Sequence, residues 1–492
     1  MSGGASGRPK GGLHTPARGD ADDSLPTSPE RSKMEFTKNL TRVTALALGI
    51  AGVLAYGDVH AAAFQLKENS VKAQGRAMAG SASAKGDASV VVNNPAMMST
   101  FTDKTFQADV TAIDLSFEFT GGGTAAAGTA LQQPLRGGDG GDAGDIAAVP
   151  AMSFILPLSD QFEYVTLGAM ISAPFGLKTD YESDWVGRYH ALESDVKIVD
   201  LTLAASLELS DRASVGLGVI YEHADVTLTN AVDFGAGVCR VAVALCVTPN
   251  PVAAPFGPQK NDGVAGISGT DNSFGWLAGI SLRPTDKLSL GYSYRSEIDH
   301  ELRGTATFEV PANVRGVLGN AIYKPTDGGG AKLTTPATHT FSATYQATER
   351  FAIMAEGVHT GWDSLKEIRI EFDNPLQADA VENYDWHDSW FYSLGGEFAL
   401  NDRFTLRAGI ARDESPVARA HRTPRMPDED RNWYSLGLSW NVSDNLELNA
   451  SYVRLELADK PEIDLLSSSG SRLVGQYDGG ANLFGVSMQY KF

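Results

Sequence analysis

The 492-residue sequence is short of basic residues and of long apolar runs. Its 40 lysines and arginines are set against 60 aspartates and glutamates, which gives a formal net charge of −20. Because phosphate binding needs a basic surface, this balance excludes nucleic acid as a partner. Outside one segment near the N-terminus, no stretch reaches the ~18 consecutive apolar residues typical of a membrane-spanning helix. The hydrophobic content of 42% is also too low for a bundle of such helices.

Motifs of catalysis and metal binding are missing as well. The nine histidines are scattered without metal-ligand spacing, and the chain has no G-x-S-x-G elbow, no Walker phosphate loop and no zinc-ligand pattern. We therefore expect a protein that is not an enzyme, with no catalytic site, no bound metal and no cofactor.

The N-terminal part carries the features of an export signal. Residues 1–33 are rich in Gly, Pro, Ser and Asp, and are too poor in apolar residues to pack a core, so we expect disorder there. A basic segment, an apolar run at 43–56 and small residues then follow, which predicts a signal peptide over 34–61 that is cleaved after Ala61. A transmembrane anchor is the alternative, but a span needs ~20 apolar residues. Because signal peptides act near the N-terminus, we expect translation to begin at Met34.

The two cysteines, Cys239 and Cys246, are separated by six residues. In an exported protein a disulfide is the default state of such a pair. It would close a small loop and add roughly 2–3 kcal/mol of local stability, which is a structural role and not a catalytic one.

A short turn recurs six times along the rest of the chain. Each copy places Ser, Thr or Asn before an acidic residue, and these side chains favour tight turns because they bond nearby backbone groups. Alternating apolar residues on both sides make each copy the centre of a β-hairpin. The six turns are LSDQF at 158–162, LSDRA at 209–213, PTDKL at 284–288, ATERF at 347–351, LNDRF at 400–404 and VSDNL at 442–446.

The two faces of these hairpins differ in polarity. In 288–295, Leu and Tyr alternate with Ser, Gly and Arg, and in 404–410 Phe, Leu, Ala and Ile alternate with Thr, Arg and Gly. This pattern is expected of a barrel with lipid outside and a polar interior. A soluble β-sandwich would need apolar residues facing a core, and a propeller would repeat at more regular lengths, so both alternatives fit less well.

Seven longer stretches, rich in Gly, Pro, Asp and Ala, alternate with the six turns. The fold class is therefore all-β, a 14-stranded antiparallel transmembrane β-barrel over 101–492, with tight turns in the periplasm and long loops outside. The predicted loops are 120–148, 176–192, 230–272, 311–332, 373–385, 414–430 and 459–481. The predicted strands are 101–119, 149–157, 162–175, 193–209, 213–229, 273–283, 287–310, 333–347, 350–372, 386–400, 403–413, 431–442, 445–458 and 482–492.

Residues 62–100 precede the first predicted strand and lack its alternation. A lumen of fourteen strands is wide enough to leak unless it is filled, because barrel diameter grows with strand number. We therefore interpret 62–100 as an N-terminal plug, or hatch, in the lumen. A periplasmic extension is the alternative.

Several segments resemble one known family. The sequence FQLKENSVKAQGRAMAGSASAKGDASVVVNNPAMM, at 64–98, is similar to the N-terminal hatch of FadL/TodX-type outer-membrane transporters. Further matches are 172–189, 294–304 and, most specific of all, 407–440. The resemblance covers the whole mature chain. It implies a passive, monomeric, multi-pass outer-membrane protein that transports long-chain fatty acids or other hydrophobic molecules. The terminal Phe492 resembles the signal read by the barrel assembly machinery.

The resemblance also implies a route for the ligand. In family members the third strand is kinked and opens the barrel wall, so that ligand leaves sideways into membrane lipid. Here Pro174 cannot donate a ladder hydrogen bond and Gly176 permits unusual backbone angles, so they mark the expected kink, although an ordinary strand end would also allow them. Asn94, Pro95 and Ala96 are interpreted as a hinge or latch of the hatch. Asn-Pro as a simple turn start is the alternative.

A fatty acid would need a cation for its carboxylate in an otherwise apolar pocket. By similarity to fatty-acid transporters, which place a basic residue seven positions after a Trp, the candidate is Arg369, with Lys366 nearby. Family members use a second basic residue after the fifth strand, and none is evident here. This departure favours a broader range of ligands. The alternative functions are a channel for aromatic hydrocarbons or alkanes, an outer-membrane lipase and a general porin. A general porin fits 62–100 poorly, because it would have no plug.

Overall fold

The computed structural model describes residues 64–248, 250 and 254–492. The predicted upstream extension and signal peptide, 1–33 and 34–61, lie outside these residues. No helix among the described residues is long and apolar enough to cross a membrane.

Twenty strand segments form one sheet, and eighteen of them make fourteen barrel strands. The strands are β1 Thr105–Ala125, β2 Ile146–Pro157, β3 Val165–Asp180, β4 Glu193–Ser210, β5 Ala213–Asp233, β6 Asp262–Thr285, β7 Leu288–Arg295 with Ile298–Glu309, β8 Thr326–Thr335 with Thr338–Gln346, β9 Phe351–Thr360 with Glu367–Phe372, β10 Ala380–Asn383 with Ser389–Ala399, β11 Phe404–Asp413, β12 Arg431–Asn441, β13 Leu446–Leu457 and β14 Arg472–Lys491. The two remaining segments, Gln133–Pro134 and Glu462–Leu466, lie in outer loops.

The sheet closes on itself. Strand β1 pairs with β14 in an antiparallel ladder from Thr105 opposite Lys491 to Thr124 opposite Arg472. Closure removes the unpaired edges that an open sheet would expose. The predicted count of fourteen antiparallel strands is confirmed, and each of the six predicted turns joins two neighbouring strands.

Several predicted strands were too short at their outer ends. Strand β6 begins at Asp262 and not at 273, while β14 begins at Arg472 and not at 482. The added residues of β6 are rich in Gly, Ser and Asp, yet they pair with β5 as far as Asp233 opposite Asp262. Beyond the lipid the outer face of a strand no longer needs to be apolar, so the alternation weakens while the ladder continues.

Within the lipid-facing zone the two faces follow the predicted pattern. Leu406 and Ile410 of β11 are exposed, as are Leu436 and Leu438 of β12, while Arg407 between them is buried inside the barrel. Exposed apolar residues toward lipid and buried polar residues toward the lumen are what a membrane barrel requires.

Short helices occupy the lumen and the outer loops. They are α1 Val71–Gln74, α2 Val90–Asn93, α3 Phe234–Val241, α4 Ala244–Val247 and α5 Ala312–Leu318, with 3₁₀ turns at Pro95–Thr100, Asp160–Phe162, Trp362–Ser364 and Arg419–His421. The first two helices and the first 3₁₀ turn belong to the hatch.

The hatch, described here from Phe64, is held by polar contacts to the barrel wall. Arg76 Nη1 donates to Glu397 Oε1 at 2.5 Å, and Ser81 Oγ donates to Glu356 Oε1 at 2.7 Å. Lys72 Nζ lies 2.6 Å from Glu447 Oε1. Because these wall residues belong to β10, β9 and β13, the hatch is fixed against the inner face of the barrel.

Candidate functional site

An apolar chamber lies inside the barrel beside the hatch. Its walls come from β3 to β9, together with two inward-facing segments at 384–386 and 425–426 and the first described hatch residue, Phe64. Leu177, Leu302, Leu333 and Ile370 are among the lining side chains. A concave, mostly apolar site is typical of a binding site for a small hydrophobic molecule.

Aromatic rings form one side of the chamber. The centroid of the Phe64 ring lies 5.1 Å from that of Trp362 and 5.9 Å from that of Trp386. Trp386 also contacts Tyr384, with centroids 5.5 Å apart. Trp362, Tyr384 and Trp386 lie where β9 and β10 are interrupted, so the chain bends inward there and brings large rings into the lumen beside Phe64 of the hatch.

Arg425 is the only charged residue among those that line the chamber. It is 4% exposed, and its Nε donates to Glu382 Oε1 at 3.2 Å. Its Nη1 donates to Glu193 O and Ser194 Oγ, whereas Nη2 has no hydrogen-bond partner among the described residues. A buried guanidinium with one open nitrogen, facing an apolar space, can accept an anionic group.

The structure places Arg369 and Lys366 away from the chamber. Side chains alternate along a strand, so Ile368 and Ile370 face the chamber while Arg369 faces outward, paired with Glu367 and Asp379. Lys366 Nζ donates to Trp386 O at 2.9 Å, so it contacts the backbone of a lining residue without lining the space itself. Among the described residues, the cation that lines the chamber is therefore Arg425 and not Arg369.

The barrel wall is interrupted between β2 and β3. Their ladder ends at Met152 opposite Ile171, although β2 continues to Ile146 in full register with β1. Among the described residues no further ladder pair joins β2 to the outer half of β3. A gap in the wall therefore begins at Ser172.

The predicted kink lies at this gap. The register of β3 against β4 shifts between Ser172 and Phe175, on either side of Pro174. The kink is paired with the hatch, because Leu66 N donates to Pro174 O and Gly176 N donates to Phe64 O, each at 2.7 Å. The start of the hatch thus supplies the partner that β2 does not.

A second, more polar cavity adjoins the gap. Pro174, Gln65 and Arg295 are among its lining residues, and Arg295 pairs with Asp200 and Glu222 at 2.5 Å each. Phe64 lines the first chamber while its neighbour Gln65 lines the second cavity. The two spaces therefore meet at the start of the hatch.

The Asn94-Pro95-Ala96 segment joins the hatch to the wall. Asn94 Nδ2 donates to Ala82 O and to Ile280 O of β6, and Asn94 Oδ1 accepts from Ala96 N. Ala96 O accepts from Ser206 Oγ of β4 and Ser214 Oγ of β5. These contacts give the segment the position of a latch, and its movement during transport stays a prediction.

Cys239 and Cys246 are joined by a disulfide with an S–S distance of 2.02 Å. It links α3 to α4 in the outer loop between β5 and β6, and neither cysteine lines the chamber. Its place is consistent with a structural role.

Sequence reasoning missed Trp386 and Arg425. Both come from segments between strands that fold back into the lumen, and alternation says nothing about such segments. The region of Arg425 was within a motif matched to the family, but no local signal separates its side chain from Arg422 or Arg431. Only the three-dimensional path of the chain identifies it.

Fold and site together define a plugged outer-membrane barrel with an internal apolar binding chamber. A model of one family, described as outer membrane protein transport protein (OMPP1/FadL/TodX), matches residues 52–492. The chain therefore belongs to this family. It is an outer-membrane transporter of hydrophobic compounds.

Curated relatives span nearly the same length. Outer membrane protein P1 of Haemophilus influenzae is 29% identical over 474 residues, which is 90% of this chain and 98% of the relative. The long-chain fatty acid transport protein of Escherichia coli (strain K12) is 27% identical over 475 residues, which is 92% of this chain and 99% of the relative.

Solved structures share the fold. A Pseudomonas aeruginosa FadL homologue superposes with a TM-score of 0.77 at 24% identity, covering 88% of this chain and 100% of its own. The Pseudomonas putida toluene transporter TodX gives a TM-score of 0.61 at 14% identity, covering 85% and 98%.

Proposed function

We propose that the chain carries long-chain fatty acids, and that the apolar chamber with Arg425 at its surface is their binding site. The observation that carries this proposal is the single charged residue in an otherwise apolar space. A fatty acid is complementary to such a space, because its long apolar chain matches the apolar walls and its one carboxylate matches the one cation. A relative of similar length is itself a long-chain fatty acid transport protein, which supports the same ligand.

Exit is proposed to be sideways. A ligand in the chamber is separated from the polar cavity by the Phe64 and Phe175 rings, whose centroids are 5.6 Å apart. Movement of the first hatch residues would break their two bonds to the kink and join chamber, cavity and wall gap. The gap then leads into membrane lipid, where an apolar chain is stable.

A second candidate ligand is a neutral aromatic hydrocarbon. The toluene transporter TodX has the same fold, and Phe64, Trp362, Trp386 and Tyr384 could hold an aromatic ring. In that case Arg425 would serve only its pair with Glu382.

The remaining parts of the proposal concern biogenesis and assembly. We infer that the chain works as a monomer without catalysing a reaction, since passage through the chamber requires no bond to form or break. The alternation of β14 up to its final residues supports insertion by the barrel assembly machinery. The boundaries at 33, 61 and 100 stay predictions.

Equilibrium binding of oleate and of toluene to the purified barrel tests the choice of ligand. We expect oleate to bind, and Arg425→Gln to weaken it at least about tenfold, because a charge-assisted hydrogen bond contributes roughly 1.5–3 kcal/mol. Arg369→Gln is the matched control and should bind oleate like the wild type.

Three results would contradict the fatty-acid proposal. Toluene bound without oleate would assign the chamber to neutral hydrocarbons. Oleate binding indifferent to Arg425→Gln would remove Arg425 from the site. A loss with Arg369→Gln alone would restore the anchor that the sequence predicted.

A further inference from the structure

Trp386 holds a fixed position in the wall of the chamber. Trp386 is one of the residues that line the chamber, and the residue is 1% exposed. Its backbone is held at both ends, because Trp386 N donates to Leu365 O and Trp386 O accepts from Lys366 Nζ at 2.9 Å. The ring packs against Trp362 edge to face, with centroids 5.1 Å apart. Trp386 is therefore preorganised.

The indole N–H of Trp386 has no hydrogen-bond partner in the part of the chain that the structure describes. Its Nε1 is buried and unpaired among the described residues. Buried indole N–H groups usually have a partner, as Trp185 does here through Ala191 O at 2.8 Å. Leaving such a donor unpaired in an apolar space is unfavourable. An oxygen of a bound molecule would remove that cost.

The Tyr384 hydroxyl nearby already has a partner, and Arg425 keeps one nitrogen, Nη2, without a partner among the described residues. Tyr384 donates its hydroxyl hydrogen to Glu382 Oε2 at 2.8 Å, and Arg425 donates to the other oxygen of the same carboxylate. The neutral indole N–H differs from the Arg425 guanidinium in the kinds of ligand oxygen to which it can donate a hydrogen bond. It can bond an alcohol or ester oxygen as well as a carboxylate.

We propose that Trp386 is a specificity-determining residue, whose indole N–H selects chain molecules that carry an oxygen acceptor over pure hydrocarbons of the same length. This rests on the proposed function, because it requires that a hydrophobic chain occupies the chamber. It goes further in assigning selection to a neutral donor, so that uncharged oxygenated chains are also ligands.

Equilibrium binding of three radiolabelled C12 compounds to the purified full-length barrel tests the proposal. Laurate carries a carboxylate, dodecanol a hydroxyl and dodecane no acceptor. We expect Trp386→Phe to weaken laurate and dodecanol about three- to tenfold and to leave dodecane unchanged, because only the N–H is lost. Dodecane binding also reports that the chamber is intact.

Trp433→Phe is the matched control. Trp433 is equally buried and its Nε1 is also unpaired, but it lines neither cavity, so all three compounds should bind as they do to the wild type. Equal binding of laurate and dodecanol by Trp386→Phe and wild type would overturn the proposal, as would a parallel loss for dodecane or the same loss with Trp433→Phe. If the wild type bound none of the three compounds, the proposed function itself would fail.

Discussion

The direction in which each side chain at the site points depends on whether its residue lies in a regular strand or at an interruption of one. Where β9 is regular, Ile368 and Ile370 face the chamber and Arg369 cannot. Where the strands are interrupted, Trp362 and Trp386 turn into the lumen. Under the proposed function, the ligand is thus recognised by residues outside the regular strands, while the strands supply the apolar wall.

This division explains what the sequence could predict at the residue scale. The kink at Pro174 and Gly176 was predictable because proline and glycine have backbone constraints of their own. The identity of the chamber cation was not, since Arg369 and Arg425 differ in their surroundings and not in any local pattern.

His190 in the outer loop between β3 and β4 makes that loop sensitive to pH. Burial lowers the pKa of His190 to about 4, below its ordinary value of 6.5. When the loop unpacks and exposes His190, the imidazole binds a proton between pH 6.5 and 4, whereas the buried imidazole of the packed loop does not. The stability of the packed loop therefore falls as pH drops from 7 to 4.5. Amide hydrogen exchange of 181–192, corrected for intrinsic rates, should show reduced protection at the lower pH.

His190→Gln should remove most of that pH dependence, since glutamine does not titrate. Protection in 181–192 that is constant with pH in the wild type would contradict the assignment. So would an unchanged pH response in the variant.

Glycines on the inner face of the barrel strands make room for the hatch. A Cβ on Gly279 of β6 would lie 2.0 Å from Asn94 Oδ1, and one on Gly409 of β11 would lie 2.3 Å from the carbonyl carbon of Arg76. One on Gly291 of β7 would lie 2.0 Å from Ala82 O. Neighbouring strands β6 and β7 and the more distant β11 thus share the same feature, inner-face glycines that leave room for the hatch.

Gly409→Leu should therefore displace the hatch. A leucine cannot occupy the space of Arg76, so the barrel should close while the hatch is loosened, and ion conductance across planar bilayers should rise well above that of the wild type. Gly316→Leu, at an outer-loop glycine with no atom within 4 Å of its Cβ, is the control and should conduct like the wild type. Equal conductance of both variants would show that the wall tolerates the added side chain.

Strands and turns were predicted correctly in the zone where contact with lipid makes apolar and polar residues alternate along the strands. The six turns and the fourteen strands followed from alternation and turn chemistry. The outer ends of β6 and β14 did not, because Gly-, Ser- and Asp-rich sequence in a ladder above the membrane resembles loop sequence. The role of the inner-face glycines was also hidden, since a glycine in a strand has several possible causes.

At the scale of the whole molecule, three features are placed in sequence. The apolar chamber adjoins the start of the hatch, the start of the hatch is bonded to the kink in β3, and the kink borders the gap in the wall. A hydrophobic ligand would thus pass from chamber to lipid without crossing the full hatch. Fourteen closed strands keep the rest of the wall intact, so the gap is a local interruption of the barrel.

The most direct test of this account is oleate uptake by cells that express Ala151→Cys/Ser172→Cys in place of their own transporter. These positions continue the register of Met152 opposite Ile171, so a disulfide would tie β2 to β3 where the gap begins. We predict that oxidation strongly reduces uptake, that reduction restores it, and that oleate binding to the purified barrel is unchanged in both states. Each single-cysteine variant and the wild type should be insensitive to the same treatments. Undiminished uptake by the fully oxidised double variant would contradict sideways exit through the gap.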